Sequence, residues 1–323
     1  MNTRVSIPSW FLVSSVLLAT VLTGCAQNPT NVPTSSRASA SAMGSFLAAG
    51  GSGGYFPLQI GNRWHAESDF RSTLTTPDGG TETFTIHANI MREIIGTETL
   101  AGRTYVVEQT VTEEDGPFGP FNSWLRYRQD AAGLYEADVD ISQPPVLHSG
   151  TSAGPINAAL PEARDLPATF AERLSADQLD AYQAAWDVLQ KRIVAIRSIH
   201  TLASINGATT APGGVLPGEL TRLAYPLRPG ATWVIRDDPY FGSIVEANGN
   251  LEVPAGRFPS SQIRIPNEFM GPNDVVRVWF SRSGQLAFRY HIESVATDVD
   301  GNPIGTVSAD YDETLRDFSL ARP

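Results

Sequence analysis

The chain of 323 residues carries 23 Lys and Arg against 34 Asp and Glu, a formal net charge of −11, and 41% of its residues are hydrophobic. This length suits one large domain or two of ordinary size, and the composition excludes a largely disordered chain. The acidic balance argues against nucleic acid as a partner, because an anionic surface repels phosphate backbones. The 28 Gly and 23 Pro favour β structure with many turns.

The first 24 residues form a predicted export signal. Arg4 supplies a positive charge ahead of an apolar run, Trp10–Val21, which is too short for a comfortable membrane-spanning helix. The run ends in Leu-Thr-Gly-Cys at 22–25, which resembles the lipobox of bacterial lipoproteins. In that family the cysteine is acylated and becomes the first residue of the mature protein. The resemblance implies a lipid anchor on Cys25, and an ordinary secretory signal with a chance cysteine is the alternative.

Cys25 is the only cysteine of the chain, so the predicted mature body has neither a disulfide nor a thiol. Each buried acyl methylene contributes about 0.8 kcal/mol to membrane attachment, so we expect the membrane to be a partner through Cys25. Position 26, directly after the cysteine, is Ala, whereas proteobacterial lipoproteins that stay in the inner membrane have an aspartate there. The resemblance therefore implies the outer membrane, facing the periplasm. Residues 25–54 are small, polar and glycine-rich, which is typical of a flexible tether.

A motif recurs in the two halves of the remaining chain. Tyr-Phe-Pro-Leu-Gln-Ile-Gly-Asn-Arg-Trp at 55–64 is partly copied by Tyr-Pro-Leu-Arg-Pro-Gly-Ala-Thr-Trp at 225–233. Later landmarks repeat in the same order, namely Glu-x-x-Ala-Gly-Arg and then a tryptophan. We interpret this as a diverged duplication in which the motif forms the corner where each β-meander begins, and an exposed aromatic contact for a ligand is the alternative. The matched residues are Pro57, Leu58, Gly61 and Trp64, then Pro226, Leu227, Gly230 and Trp233.

Within each copy the hydrophobic pattern has a period of two. Phe84, Ile86, Ala88 and Ile90 alternate with polar residues, as in a half-buried antiparallel strand. Similar segments with tight turns between them predict a mainly β (α+β) fold. We expect two tandem antiparallel β-meander modules, at 55–141 and 222–320, that form curved sheets or open half-barrels.

The connector between the modules, 142–221, is predicted to carry a helical insert. We expect helices near 167–174 and 176–199, the second of which begins with a capping box, Ser175–Gln178. We expect its apolar stripe to pack on the open face of a sheet, and a short coiled-coil seam in a dimer is the alternative. The stripe consists of Leu179, Tyr182, Trp186, Leu189, Ile193 and Ile196.

Candidate catalytic and metal-binding residues are few. Gly-Thr-Ser-Ala-Gly at 150–154 fits the Gly-x-Ser-x-Gly pattern of α/β-hydrolases, but a proline follows at once and the flanks lack the strand and helix that the motif needs. Asp298–Pro303 begins like a calcium loop, but its Pro303 stands where glycine is required, so it predicts a hairpin turn. The histidines are too scattered to predict a metal site: His65, His87, His148, His200 and His291. We therefore predict no catalytic residue, cofactor or metal.

The first copy of the motif, Pro-Ala-Gly-Arg-Phe at 254–258 and Val-Trp-Phe-Ser-Arg-Ser-Gly-Gln-Leu at 278–286 together resemble an uncharacterised family of bacterial lipoproteins. That family shares Tyr-Phe-Pro-Leu-x-x-Gly-Asn-x-Trp and Pro-Ala-Gly-x-Phe, and this chain departs from its pattern at 282–286. The resemblance implies a location and a fold rather than an activity. In architecture alone, a curved antiparallel sheet holding helices is similar to the Lol-pathway lipoprotein carriers, which does not imply their function.

Three functions are compatible with the sequence. The first is a non-enzymatic, lipid-anchored envelope protein that binds an apolar ligand, a lipid or a peptide in the concave face of its sheet. The second is a structural or scaffolding protein whose sheet is filled by its own helix and whose surface meets other envelope proteins. The third is a hydrolase that uses Ser152, as a serine hydrolase, or an acid pair. An accessible apolar pocket would favour the first function, and a packed concave face would favour the second.

Overall fold

The computed structural model describes residues 56–76, 78–114, 121–147, 166, 168–197 and 218–321. The strands in these ranges are β1 Arg63–Thr75, β2 Thr81–Leu100, β3 Arg103–Glu114, β4 Phe121–Gln129, β5 Gly133–Ala137, β6 Glu219–Ala224, β7 Thr232–Arg236, β8 Phe241–Val253, β9 Gly256–Arg264, β10 Val275–Ser281, β11 Gly284–Thr297 and β12 Pro303–Ser319. The helices are α1 Ala168–Ala171 and α2 Ala176–Arg197. Neither of these two described helices combines the length and apolar character that crossing a membrane requires.

All of these strands join one antiparallel sheet, in the order β6-β5-β4-β3-β2-β1-β12-β11-β10-β9-β8-β7. The two halves meet at the centre, where β1 pairs with β12 from Arg63 opposite Ser319 to Thr75 opposite Thr306. The expected boundary at 222 lies inside β6, and β6 pairs with β5 of the first half. The fold class is confirmed as mainly β with a helical insert, and both expected modules are parts of a single continuous sheet.

The sheet curls until its two edge strands lie side by side. At this seam the Trp233 indole Nε1 of β7 donates a 3.0 Å hydrogen bond to the Thr221 carbonyl of β6. Arg236 of β7 donates a 2.6 Å bond to the Asp138 carboxylate, just after β5. In the described sheet β6 and β7 each pair with a single neighbour, so these side chains bridge a gap in the backbone ladder. The result is a nearly closed, barrel-like sheet with a concave inner face.

The two copies of the sequence motif have the same backbone geometry. The Gly61 amide donates a 2.8 Å hydrogen bond to the Ile94 carbonyl, and the Gly230 amide donates a 2.8 Å bond to the Val245 carbonyl. Both glycines have positive φ values, 91° and 86°, and residues with a Cβ atom rarely adopt this backbone conformation. In both halves the pairing register shifts immediately after the accepting residue. The motif therefore positions a bulge at the start of each meander.

The tryptophans used as later landmarks, Trp124 and Trp279, are not equivalent in the strand pairing. Starting at each bulge, we compared the residues that lie opposite one another on three successive strands. In the first half they are Gly96, Val107 and Arg126, and in the second half they are Ala247, Gln262 and Trp279. Trp279 therefore occupies the position of Arg126, two residues from that of Trp124. The physical reason is that the β8–β9 hairpin runs two residues further past its bulge than the β2–β3 hairpin does.

Helix α2 begins at a reciprocal capping box. The Ser175 amide donates a 3.0 Å hydrogen bond to Gln178 Oε1, and the Gln178 amide donates a 3.4 Å bond to Ser175 Oγ. These bonds satisfy two of the amide donors that every helix leaves unpaired at its start. Within the described residues, α2 spans Ala176–Arg197 against an expected 176–199, and α1 spans Ala168–Ala171 against an expected 167–174.

Candidate functional site

The apolar stripe of α2 lies on the inner face of the sheet. Tyr182, Trp186 and Leu189 are fully buried, and the Trp186 ring packs on the Phe84 ring of β2 with 5.8 Å between centroids. The stripe belongs to the same apolar core as inward-facing residues of three strands, Leu74, Ile292 and Val307. The prediction that the helical insert packs on a sheet is confirmed, and the stripe is not available as a dimer seam.

Polar contacts hold α2 to the sheet near both of its ends. Near the start, the Tyr182 hydroxyl donates to the Ile304 carbonyl at 3.2 Å and also to the Thr75 carbonyl. Near the end, Arg192 donates a 2.7 Å bond to the Glu293 carbonyl and lies 3.4 Å from the Asp274 carboxylate. The helix is therefore fastened by directional bonds as well as by apolar packing.

Gly305 of β12 marks the closest approach of α2 to the sheet. A Cβ at this position would lie 1.7 Å from the Tyr182 hydroxyl oxygen and 2.1 Å from the Thr75 carbonyl oxygen. Both distances are far inside van der Waals contact, and the second atom belongs to the backbone of β1. A residue without a side chain is therefore required here for the tyrosine to reach the two strands.

The first copy of the motif closes one end of the core with aromatic rings. Trp64 donates a 2.6 Å bond from its indole Nε1 to the Ser283 carbonyl. The Phe56 ring lies 5.8 Å from the Trp64 ring, 5.6 Å from Tyr127 and 6.3 Å from Phe280. The Pro57 carbonyl accepts a 2.9 Å bond from the Asn62 amide group. Trp64 thus lies in the core, as a structural corner requires.

The second copy of the motif has a different environment. Leu227 is buried and Leu58 of the first copy is partly buried, and both pack against the common core. Trp233, by contrast, is only half-buried and lies at the seam between β6 and β7. The glycines and leucines therefore serve the same role in the two corners, whereas one tryptophan fills the core and the other bridges the sheet edges.

A network of charged side chains lies on the inner face of the first half. Arg92 of β2 pairs with Glu313 of β12, and Arg222 Nε of β6 lies 3.4 Å from Glu136 Oε2 of β5. Glu108 of β3, only 2% exposed, is the fifth member. Burial raises the pKa of Glu108 to about 7, Arg92 opposes this shift, and repulsion from Glu136 and Glu313 adds to it.

These five groups make this part of the interior a poor site for an apolar ligand. Three carboxyl groups share two guanidinium groups there, and burial of charge is unfavourable unless each charge has polar partners. Burial lowers the pKa of Arg92, but the paired Glu313 carboxylate outweighs burial and holds this pKa above its usual value, and ionised Glu108 would add to the effect. An acyl chain placed here would remove polar surroundings that the ions need.

A further buried ion pair lies on the outer face. Arg126 of β4 donates a 2.9 Å bond from Nε to Glu98 Oε2 of β2. Its other nitrogens donate to the Trp124 carbonyl at 2.8 Å and the Gln143 carbonyl at 2.9 Å. Glu98 in turn accepts a 2.9 Å bond from the Val146 amide. The pair fastens the segment 138–147 over the outside of the sheet.

The described histidines lie on the outer face and contact acids on neighbouring strands. His65 contacts Asp317 at 3.2 Å, and His291 contacts Asp310 at 2.8 Å. His87 contacts Asp69 across the β1–β2 pair. These contacts are cross-strand surface pairs, which stabilise a sheet by a few tenths of a kcal/mol to about 1 kcal/mol each.

Of the remaining residues that the sequence analysis considered as sites, the candidate calcium loop forms a turn and the others lie outside the described ranges. The Asp298 carboxylate accepts bonds from the Asp300 and Asn302 amides, at 3.0 and 2.8 Å, in the turn between β11 and β12. Among the described residues, no cluster of three His, Cys, Asp or Glu side chains could hold a metal ion. The positions outside the described residues are Cys25, His148, Ser152 and His200.

Comparison with known proteins gives no family assignment. The sequence matches no protein-family model and no curated protein. A presumed lipoprotein of Parabacteroides distasonis is similar in structure, with a TM-score of 0.31 and 8% identity over 84% of this chain and 100% of that one. A presumed exported protein of Bacteroides fragilis with a YmcC-like fold has a TM-score of 0.30 and 8% identity over 82% and 98% of the two chains. Similarity of this degree supports no inference about family, ligand or activity.

Proposed function

We propose that this chain is a lipid-anchored scaffolding protein of the cell envelope, held by an acylated Cys25 in the outer membrane of a two-membrane cell. Its folded body is non-enzymatic and meets other envelope proteins through its outer surface. One observation carries the choice of a scaffold over a carrier: the apolar stripe of α2 already occupies the inner face where a carrier would hold its ligand.

An apolar ligand on this face would have to displace α2. Removing each fully buried large side chain of the stripe from the core costs about 1.5–3 kcal/mol. The bonds from Tyr182 and Arg192 to sheet carbonyls would be lost as well. A bound lipid would need to replace all of these contacts, so the carrier function is the less favourable alternative.

The charged outer face of the sheet supports the proposal that the folded body stands in water at the end of its tether. The central strands carry cross-strand pairs of opposite charge, such as Arg289 with Asp312 at 3.0 Å and Arg63 with Glu93 at 2.8 Å. Exposed pairs of this kind add little stability, but they keep a broad sheet surface polar and soluble. The predicted tether, 25–54, would separate this surface from the bilayer and leave it accessible to neighbouring proteins.

The anchor is tested by changing the one residue that can carry it. We expect cells that make the full chain to incorporate a fatty-acid probe into it and to retain it in the membrane fraction. The Cys25→Ser variant should lose both the label and the membrane retention, because no other cysteine exists to replace it. A variant that remains labelled and membrane-bound would contradict the proposed anchor. Tether substitution Ser36→Ala is the matched control and should behave as the parent chain.

A further inference from the structure

The inner-face charge network is unbalanced by one carboxyl group. Glu313 accepts bonds from Arg92, from Gln285 Nε2 at 2.9 Å and from the Tyr311 hydroxyl at 3.1 Å. Glu136 has the Arg222 guanidinium beside it. These two carboxylates therefore have the donors that a buried negative charge needs.

Glu108 is the carboxyl group left over. Thr110 Oγ1 lies 3.5 Å from Glu108 Oε1, at the limit of a hydrogen bond, and within the described residues Glu108 Oε2 has no partner. The charged and titratable side chains grouped with Glu108 are Arg92 on β2, Tyr127 on β4, Glu136 on β5, Arg222 on β6, and Tyr311 and Glu313 on β12. A buried carboxyl group that lacks donors and has two carboxylates nearby is most stable when it carries a proton.

We propose that Glu108 is a proton switch of the barrel-like sheet: protonated Glu108 keeps the β5–β6 edge closed, and its ionisation loosens that edge. On ionisation the carboxyl group releases its proton to solvent and becomes a second buried negative charge near Glu136. Glu136 pairs with Arg222, which adds a side-chain tie to the backbone ladder between β5 and β6. Repulsion between the two carboxylates weakens this tie.

The β5–β6 edge is where such a loss of stability has the largest effect. β6 has six residues, and in the described sheet its other side faces the seam, which side chains bridge instead of a backbone ladder. A short edge strand opens at a lower free energy than the central strands β1 and β12, which have ladders on both sides. Ionisation of Glu108 is therefore expected to open the β5–β6 edge before it unfolds the sheet.

The direction of the pH dependence follows from the pKa of Glu108. Its pKa in the folded protein, about 7, lies above the ordinary value of 4.5, so the folded state binds the proton more tightly. This contribution to stability is fully present below pH 4.5 and is lost as the pH rises through 7. Glu219 does not contribute in this range, because hydrogen bonds from Arg128 lower its pKa to about 2.

Hydrogen exchange of the full chain in non-ionic detergent tests the proposal. Between pH 6 and pH 8.5, after correction for the intrinsic pH dependence of exchange, we expect peptides from 133–137 and 219–224 to lose protection in the parent chain. Peptides from β1 and β12 should not change. In Glu108→Gln, a neutral side chain of similar shape, the loss at the edge should disappear, while all histidines and the other carboxyl groups remain. An equal loss in both proteins, or none in the parent, overturns the proposal.

A second measurement decides the matter if Glu108→Gln does not fold. The pH dependence of the urea midpoint of the parent chain, between pH 5 and 8, reports the number of protons bound in the folded and unfolded states. We expect the midpoint to fall with rising pH, with about one more proton bound to the folded chain near pH 6. A midpoint that is constant or rises over this range overturns the proposal.

Discussion

Replacing Trp186 with alanine is expected to lower the free energy of unfolding by about 3–5 kcal/mol. The side chain is only 1% exposed, and its ring packs on Phe84 in the middle of the α2 stripe. Its loss leaves a cavity that the curved sheet and the fastened helix cannot close. Because domains of this kind are stable by about 5–15 kcal/mol in total, the effect should be large in urea denaturation followed by circular dichroism.

Val188→Ala is the matched control for this prediction. Val188 lies two residues along the same helix and is 42% exposed, so its truncation should change the free energy of unfolding by no more than about 0.5 kcal/mol. Similar losses for the two variants, or a small loss for Trp186→Ala, would show that α2 is not packed on the inner face.

Arg126→Ala is expected to lower the free energy of unfolding by about 3–5 kcal/mol, because it leaves the buried Glu98 carboxylate without its guanidinium partner. It also removes the donors to the Trp124 and Gln143 carbonyls. Urea denaturation measures the loss. Limited proteolysis should also show new cleavage within 138–147, since Arg126 fastens that segment to the sheet.

Two further variants separate the geometry of Arg126 from its charge. Arg63→Ala removes an exposed ion pair, Arg63–Glu93, and should cost no more than about 1 kcal/mol. Arg126→Lys keeps the positive charge but lacks the planar fork that reaches several acceptors at once, so it should recover little of the lost stability. If Arg126→Ala resembles Arg63→Ala, the pair is not the fastening that the structure indicates.

The sequence predicted those features that depend on neighbouring residues. The alternation from Phe84 to Ile90 places Phe84, Ile86, Ala88 and Ile90 inward and the polar residues between them outward, as observed in β2. The capping box and the apolar stripe of α2 could also be predicted from the sequence, because the start of a helix and its apolar face depend on local patterns. These signals were sufficient for the fold class and for the packing of the helical insert.

Features that depend on distant pairing could not be predicted in this way. The two halves join through β1 and β12, which pair Arg63 with Ser319 across almost the whole described chain. No local pattern specifies such a partner. The sequence comparison matched Trp124 with Trp279, which are not equivalent in the strand pairing, for a similar reason. The length of a hairpin beyond its bulge is set by strand pairing and not by the landmark residues.

The inner-face charge network was missed because its five members come from five different strands. One signal was available: Arg92 lies midway between Ile90 and Ile94, on the inward side of the alternation, and all three residues face the interior. An arginine at an inward position requires a buried acid to pair with it. The sequence alone could not identify Glu313 as that acid, because 221 positions separate the two residues.

The exchange rate of the α2 amides in the full chain, measured with and without phosphatidylglycerol–phosphatidylethanolamine vesicles, tests the central claim most directly. If α2 permanently fills the inner face, peptides from 176–197 should exchange as slowly as those from β11 and β12, and vesicles should leave that protection unchanged. Rapid exchange of α2, or loss of its protection when lipid is supplied, would show that the helix vacates the face for a ligand and that the protein is a carrier.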